Sequence, residues 1–358
     1  MTVYLDHNAT SPPHPRVLEE ALPFLTEHWG NPSSAHSLSR KPVAAVEQAR
    51  ARLAAWAGCE PKEVVFTGGA TEANHLALRG NEQPGCPLYS AIEHPSVRAP
   101  AEALGGVLVP VDGQGRVDLD ALRSLLATPT SVVSVMAANN ETGVLQDTDV
   151  IASLAREHGA LMHIDAAQLV GRLEAPAEWD LLTVTGHKSG GFKGGGALMV
   201  REGIKIHPQS LGGGQERGRR SGTVNPAPLV SLGVVATLSH GPGVKTLRDR
   251  LERAARELDG IVHAEGAERL PNTLNVRFPG VPGELVVMGM DLEGVAISAG
   301  SACHSGASIA SPVLQAMGIT SGDAVRLSLG WNTTDADVDV AIQALARVLG
   351  RIRAQGAT

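Results

Sequence analysis

The sequence predicts a protein of the α/β class with a mostly parallel sheet, and two observations support this prediction. Short strand-like apolar runs recur within the first 200 residues, namely EVVFT, PLYSAI, GVLVPV, SVVSVM, ALMHID, LLTVT and ALMV. Helix-patterned segments lie between most of these runs, and strands that alternate with helices form parallel βα units. The chain has 358 residues, of which 43% are hydrophobic, so it can bury a sizeable core in a large domain with a smaller partner.

One helix is clear before the first of these runs. In KPVAAVEQARARLAAWAG, mainly apolar side chains recur at helical spacing from Val43 to Trp56. Gly58 follows them and supplies a C-terminal stop, as glycine does at many helix ends. The pattern indicates packing of this helix and no further role.

The pattern changes after the segment SHGPGV. A charged helix, KTLRDRLERAARELDG, is followed by three strand candidates, NTLNVRF, VAISAG and VRLSLG, and by a last helix from about Asp335. We therefore predict a boundary near Gly241. The large domain would span residues 16–240, and the small domain would combine residues 1–15 with residues 241–358.

Composition and charge favour work on small molecules. The net charge of −7 leaves no basic stripe for nucleic acid. No apolar run approaches the roughly 18 residues of a membrane helix, and the N-terminus does not resemble a secretory signal, so we expect a cytoplasmic protein. Cys59, Cys86 and Cys303 are odd in number and far apart, which predicts neither a disulfide framework nor a metal site.

The residues that follow the strands are the ones to inspect, because ligands of open α/β sheets bind outside the carboxyl ends of the strands. Gly68 and Gly69 end one strand where a helix starts, which suits either an anion or a simple capped turn. Asp165 follows another strand, where it either caps a helix or meets a cationic ligand atom. Lys188 follows the next strand, and a partly buried lysine there is poised to form a Schiff base, although most lysines are solvated.

Taken together, these sites match the three groups of pyridoxal 5′-phosphate that a protein must bind. Its phosphate needs N–H groups and hydroxyls, its ring nitrogen needs a carboxylate, and its aldehyde needs an amine. The five glycines that follow Lys188 in VTGHKSGGFKGGGALMV would leave room for a flat cofactor beside the lysine and let the backbone approach closely.

Ten motifs occur in one order along the chain, namely YLDHNAT, GNPSSAH, GGATEANH, EHPSV, NNETG, HIDAAQ, TGHKSGG, ERGRRSGT, SAGSACHSG and VRLSLG. This order resembles that of the cysteine desulfurases of the NifS and IscS type, in the class V aminotransferase group, over essentially the whole chain. The resemblance implies the fold type I of pyridoxal-phosphate transferases. This is a large domain with a mostly parallel seven-stranded sheet and a smaller α+β domain, assembled as a homodimer.

The resemblance also implies roles for residues around the cofactor. Lys188 would form the Schiff base, Asp165 would partner the pyridine nitrogen, and Gln168 would donate to the ring hydroxyl. His94 would stack on the ring and move protons, while Asn140 would lie near the ring and the substrate. The phosphate-binding residues would be Ala70, Thr71, Thr185, His187 and, from the other subunit, Thr223.

Two further residues would act on the substrate L-cysteine. Arg326 aligns with the arginine that binds the substrate carboxylate, and a guanidinium fork suits a carboxylate. Cys303, among small residues in SAGSACHSGAS, would take the sulfur as a persulfide and leave L-alanine. Either His304 or the ammonium of the substrate could activate its thiol. We read Cys59 and Cys86 as buried packing residues.

The long segment after Cys303 is similar to that of the IscS group and favours sulfur transfer to an iron–sulfur scaffold or another carrier protein. The chain stops, however, without the longer tail through which IscS-type enzymes commonly meet their scaffold. A selenocysteine lyase or another class V aminotransferase-like enzyme would share Lys188 and Asp165. A nicotinamide-dependent dehydrogenase is disfavoured because the chain has no GxGxxG. The retained lysine, aspartate, histidine and cysteine argue against a non-enzymatic role.

Overall fold

The computed structural model describes residues 2–239, 241, 243–299 and 310–356. Its strands are β1 (Val3–Tyr4), β2 (Val64–Thr67), β3 (Cys86–Ser90), β4 (Val107–Val109), β5 (Thr130–Met136), β6 (Leu161–Asp165), β7 (Leu181–Thr185), β8 (Gly196–Val200), β9 (Ile261–Val262), β10 (Thr273–Arg277), β11 (Val295–Ala296), β12 (Ser298–Ala299) and β13 (Ala324–Ser328).

Every α-helix of the described residues except the last lies between two of these strands in chain order. They are α1 (Pro15–Ala21), α2 (Pro23–Thr26), α3 (Arg40–Ala57), α4 (Ala70–Gly80), α5 (Pro95–Ala103), α6 (Leu119–Leu125), α7 (Thr148–Glu157), α8 (Pro226–Val235), α9 (Gly243–Glu257), α10 (Gly283–Leu292), α11 (Pro312–Ala316) and α12 (Asp335–Gly356). The predicted first helix is α3, and Gly58 ends it in the left-handed conformation with φ 64°.

The seven strand runs predicted in the first part form one seven-stranded sheet, in the order β2-β8-β7-β6-β5-β3-β4. Neighbours are parallel except for β8, which runs antiparallel to both β2 and β7. The predicted mostly parallel sheet is therefore confirmed. Both of its faces are covered by helices and the central strands are fully buried, which explains why they read as continuous apolar runs.

A second, four-stranded sheet has the order β12-β13-β10-β9 and antiparallel pairing. Its core includes side chains of α9, α10 and α12, and Val3 and Leu5 from the N-terminal segment belong to the same apolar cluster. Strand β1 pairs in parallel with β11. The division into two domains near Gly241 stays a prediction.

This architecture brings the carboxyl ends of β5, β6 and β7 to one edge of the large sheet, since these strands are parallel neighbours. The N-terminal segment reaches the same edge, where His7 N–H donates to Ser328 O (3.1 Å) and Ser11 N–H donates to His187 O (2.8 Å). Every helix within the described ranges is too short or too polar to cross a bilayer.

Candidate active site

A cavity of about 920 Å³ opens at this carboxyl edge of the sheet. It brings together ten of the residues predicted from sequence, namely Ala70, Thr71, His94, Asn140, Asp165, Gln168, Thr185, His187, Lys188 and Arg326. These residues come from positions up to 256 apart in sequence and from at least five different elements. The functional roles assigned to them remain predictions.

One end of the cavity is formed by the start of α4. The helix begins at Ala70 directly after Gly68 and Gly69, so its first N–H groups have no acceptor within the helix. Gly69 has φ +153°, and a Cβ on Gly196 of the neighbouring strand would lie 2.5 Å from the Gly69 carbonyl carbon. Glycine at both positions therefore lets β8 pack closely against this turn. The free N–H groups make this end suitable for an anion.

Lys188 lies in a 3₁₀ turn (His187–Ser189) directly after β7. Its carbonyl oxygen accepts hydrogen bonds from Ser11 Oγ (2.8 Å) and Arg172 Nη2 (2.6 Å), which fix the turn. Burial lowers the pKa of the Lys188 amine to about 8; the Asp165 charge opposes the shift, and the Arg172 and Arg326 charges add to it. About a tenth of the amine is thus unprotonated at pH 7, and this is the form that acts as a nucleophile or base.

Asp165 is the last residue of β6 and only 5% exposed. Asn74 Nδ2 donates to its Oδ2 (2.8 Å), and the Ala167 N–H donates to its Oδ1 (2.9 Å). The second contact is a local turn bond, and the carboxylate lines the cavity. The alternative that Asp165 caps a following helix is wrong, because turns and no helix connect β6 to β7.

His94 is the N-cap of α5. Its Nδ1 accepts a hydrogen bond from Ser96 N–H (3.1 Å) and lies 2.8 Å from Ser96 Oγ. Burial, followed by the Lys188 charge, lowers the pKa of the imidazole, against a smaller opposing effect of Asp165. The ring is therefore held neutral and in a fixed orientation, which suits a residue that stacks on a planar ligand.

Gln168 is 3% exposed and has both ends of its amide engaged. Nε2 donates to Asn8 O (3.1 Å), and Oε1 accepts a hydrogen bond from Arg172. Because Arg172 can only donate, the oxygen of the amide faces Arg172 and the NH2 group is turned away from it. Its second N–H is available to an acceptor in the cavity.

Arg326 is 2% exposed, in strand β13. Its Nη2 donates to Asp6 Oδ1 (2.6 Å) and its Nη1 donates to Asn140 O (2.9 Å), whereas its Nε has no partner among the described residues. A substrate carboxylate bound to Arg326 would therefore lie beside Asp6, which already accepts a hydrogen bond from the same guanidinium. Asn140 contributes its main-chain oxygen to this arrangement.

Thr185 and His187 flank the Lys188 turn. The Thr185 hydroxyl donates to Gly195 O (2.9 Å), so it must rotate in order to donate to a phosphate. His187 Nδ1 lies 3.2 Å from Thr10 Oγ1. Burial, then the charges of Lys188, Lys193 and Arg172, lower the pKa of His187 to about 4. The imidazole is consequently neutral.

Among the described residues, one predicted site residue, Thr223, does not line the cavity. It lines a small adjoining pocket with Phe66 and Arg220. Cys303 lies outside the described residues.

The other two cysteines differ from each other. Cys59 is half-buried and burial raises its pKa to about 12, which makes it unreactive. The prediction that Cys86 is buried packing is wrong, since this residue is exposed at the start of β3, where the strand meets the surface.

Sequence reasoning missed several polar residues of this region. Asp6 and Asn8 come from YLDHNAT, and Arg172 follows HIDAAQLVG. Asn8 Oδ1 accepts from Arg172 Nη1 (2.9 Å) and from Asn272 Nδ2 (3.1 Å). The signal for Asp6 and Asn8 was the motif YLDHNAT. This motif contributed to the family resemblance, but no role was assigned to either residue.

The fold and site define an α/β enzyme with a lysine, a carboxylate and the start of a helix around one cavity. The sequence pattern of the class-V aminotransferases matches residues 3–340, and the chain belongs to this family. A cysteine desulfurase of Gluconacetobacter diazotrophicus is 40% identical over 98% of this chain and 94% of its own length. The cysteine desulfurase IscS of Dictyoglomus turgidum is 36% identical over 98% of this chain and 95% of its own length.

Solved structures agree with these relatives. A NifS-like protein from Rickettsia africae has a TM-score of 0.90 and 32% identity, covering 98% of this chain and 100% of its own. The structure titled SspA in complex with cysteine has a TM-score of 0.83 and 30% identity, covering 93% of this chain and 100% of its own. The predicted fold type I and the predicted resemblance to the cysteine desulfurases are confirmed.

Proposed function

We propose that the protein is a pyridoxal-phosphate-dependent cysteine desulfurase, which converts L-cysteine to L-alanine and takes the sulfur onto Cys303. The observation that carries the proposal is the meeting of Lys188, Asp165 and the start of α4 in one cavity. Relatives named cysteine desulfurase, at about 40% identity over nearly the whole chain, support the choice of reaction.

The donor set around the cavity fits pyridoxal phosphate. Lys188 would hold its aldehyde, Asp165 its ring nitrogen, Gln168 its ring oxygen and His94 its ring face. The N–H groups at Ala70 and Thr71, together with Thr185 and His187, would hold its phosphate. When bound, this cofactor supplies an aldehyde that condenses with amines and a ring that accepts electrons from the substrate α-carbon.

The chain itself would position the substrate and move its protons. Arg326, whose Nε has no partner among the described residues, would bind the carboxylate of L-cysteine, and Asn140 would lie beside the substrate. The neutral amine of Lys188 would take the α-proton. Cys303 thiolate would then attack the substrate sulfur: an S–S bond forms, the Cβ–S bond breaks, and its electron pair stays on Cβ. Protonation of Cβ, through His94, and return of a proton from Lys188 to the α-carbon complete L-alanine and leave a persulfide on Cys303.

The test is production of L-alanine and, with an added thiol reductant, of sulfide from L-cysteine. The wild type and the matched control Cys86→Ala should be active and Cys303→Ala inactive, and mass spectrometry should find one additional sulfur on Cys303. Sulfide from Cys303→Ala would remove Cys303 from the mechanism. Absence of sulfide and alanine from the wild type, with turnover of selenocysteine, would replace the proposal by the selenocysteine lyase alternative.

The proposal includes a homodimer in which Thr223 of one subunit completes the site of the other. Exposed apolar side chains at the start of the chain, including Leu25 (57% exposed) and Trp29 (70% exposed), supply a surface that such a dimer would bury. Mixing Lys188→Ala subunits with Thr223→Ala subunits should restore activity, because each mixed dimer then contains one intact site. No restoration, with exchange verified by mass, would contradict a shared site.

The sulfur acceptor would be an iron–sulfur scaffold or another carrier protein in the cytoplasm. The relative named IscS supports this direction. Transfer of labelled sulfur from Cys303 to a purified scaffold protein, followed by gel electrophoresis without reductant, tests this part of the proposal.

A further inference from the structure

Among the described residues, the buried guanidinium of Arg172 has no counter-ion. The residue is 5% exposed, and no carboxylate in that part of the chain lies within ion-pair distance of it. Its hydrogen bonds there go to neutral oxygens of Asn8, Gln168, His7 and Lys188, and its Nε has no partner within the described ranges. Burying a charge without a counter-ion costs free energy, so the position of this charge calls for an explanation.

The guanidinium lies directly against the turn that carries Lys188. Its Nη2 donates to the Lys188 carbonyl oxygen at 2.6 Å. Burial, with a contribution from the Arg326 charge, lowers the pKa of Arg172 to about 9, so the group is still charged at neutral pH. His7 is held neutral by burial and by Arg172, which lower its pKa to about 4, and it therefore adds no charge.

The other charged groups around the Lys188 amine are Asp165 from β6 and Arg326 from β13. The imidazoles of His94 and His187 also face Lys188, with Lys193 beside His187, and both imidazoles have lowered pKa values. In the proposed reaction the cofactor nitrogen would neutralise Asp165. Arg326 is already paired with Asp6 (2.6 Å), and the substrate carboxylate would add a second negative charge beside it. Arg172, which does not line the cavity, would keep its charge throughout.

We propose that Arg172 is a positioning residue whose positive charge behind Lys188 acts together with burial to increase the fraction of the Lys188 amine that is neutral and reactive. This inference rests on the proposed function, because a neutral amine is needed only if Lys188 acts as a nucleophile and base. The charge effect itself can be measured without cofactor or substrate.

The test is the pH dependence of Lys188 acetylation in the full-length protein after removal of any bound cofactor, with trace reagent and peptide mass spectrometry. The wild-type midpoint should lie near pH 8. Arg172→Gln removes the charge, and Gln168→Glu neutralises it in place with a carboxylate at the Arg172 contact. Each variant should raise the midpoint by roughly one pH unit, the usual size of a single nearby charge effect.

Arg172→Lys keeps the charge and should leave the midpoint where it is in the wild type, which a merely structural role would not predict. Lys205, 81% exposed in its side chain, is the internal control, and its labelling should not respond to any of the variants. If Arg172→Gln does not fold, the midpoint of Lys188 acetylation in Gln168→Glu tests the inference instead. An unchanged midpoint in Gln168→Glu or in folded Arg172→Gln overturns the inference. Failure of the wild type to form alanine from L-cysteine would instead overturn the proposed function, and the two results are independent.

Discussion

Replacing Arg50 with methionine should destabilise the protein strongly, because it would leave Glu216 charged and buried. The two side chains are 5% and 4% exposed and form a bidentate pair, with Nη1 to Oε2 at 2.8 Å and Nη2 to Oε1 at 2.9 Å. Burial opposes the charged form of Arg50, yet its hydrogen bond with Glu216 and the Glu216 charge raise its pKa. Glu216 also accepts the Phe66 N–H (2.9 Å), so the pair joins α3 to β2 and to the segment that contains Thr223.

The expected cost follows from this burial. Removing one partner of a buried ion pair typically costs about 3–5 kcal/mol, because the other charge stays without compensation. Glu216 and Arg217 also have positive φ values of 49° and 56°, a left-handed conformation that costs about 1–2 kcal/mol per residue and that the pair holds in place. With an m-value of roughly 3 kcal/mol/M, a loss of about 4 kcal/mol moves the urea midpoint by about 1.3 M.

Urea unfolding followed by circular dichroism measures this effect. The double variant Arg50→Met with Glu216→Gln should recover more than half of the loss, because the amide oxygen still accepts the Phe66 N–H and no charge remains. Arg123→Met is the control: its pair with Asp120 is 56% and 95% exposed in the side chains and should contribute less than about 1 kcal/mol. An Arg50→Met loss no larger than that of the control would refute the reasoning.

Three further predictions concern the site and its support. Asp165→Asn should keep the fold and lower the rate of alanine formation by about 100-fold or more, because losing one preorganised electrostatic group usually costs about this much. Steady-state rates of alanine formation measure this effect. Burial raises the pKa of Glu93 to about 8, so its contribution to stability is present at low pH and is lost as pH rises through about 8. Glu93→Gln should therefore flatten the fall in urea midpoint between about pH 5 and pH 8, and a wild-type-like pH dependence in the variant would contradict this. Gly196→Ala should cost about 1–3 kcal/mol in thermal or urea unfolding because its Cβ would collide with Gly69. Gly350→Ala, in an open helical position, should cost nothing and serves as the control.

The residues that sequence reasoning found without the family resemblance share one property, which is that each follows a recognisable strand. Lys188 and Asp165 follow apolar strand runs, and the start of α4 follows two glycines, so the rule for strand ends locates them. The positions of His94, Asn140 and Arg326 in the cavity came from the resemblance, since none of them has a local pattern that indicates a ligand.

Other features depend on contacts between distant parts of the chain. Asn8 meets Arg172, 164 residues away, and no periodicity in either segment predicts this contact. The antiparallel direction of β8 was not predicted, although one signal was present. Only residues 186–195 connect β7 to β8, and a parallel crossover needs a dozen or more residues. The glycines of this connection allow the short reversal as well as the opening of the cavity.

The contact between the N-terminal segment and β13 can form only late in synthesis of the chain. Asn8 N–H donates to Ser328 Oγ across a separation of 320 residues. At a synthesis rate of roughly 5–20 residues per second, the ribosome makes Ser328 about 16–64 s after Asn8. The first residues to be translated are thus among the last to find their partners. A chain that is two-thirds made already has Lys188 but not Arg326, so the proposed substrate-binding arginine is added only when translation is nearly over.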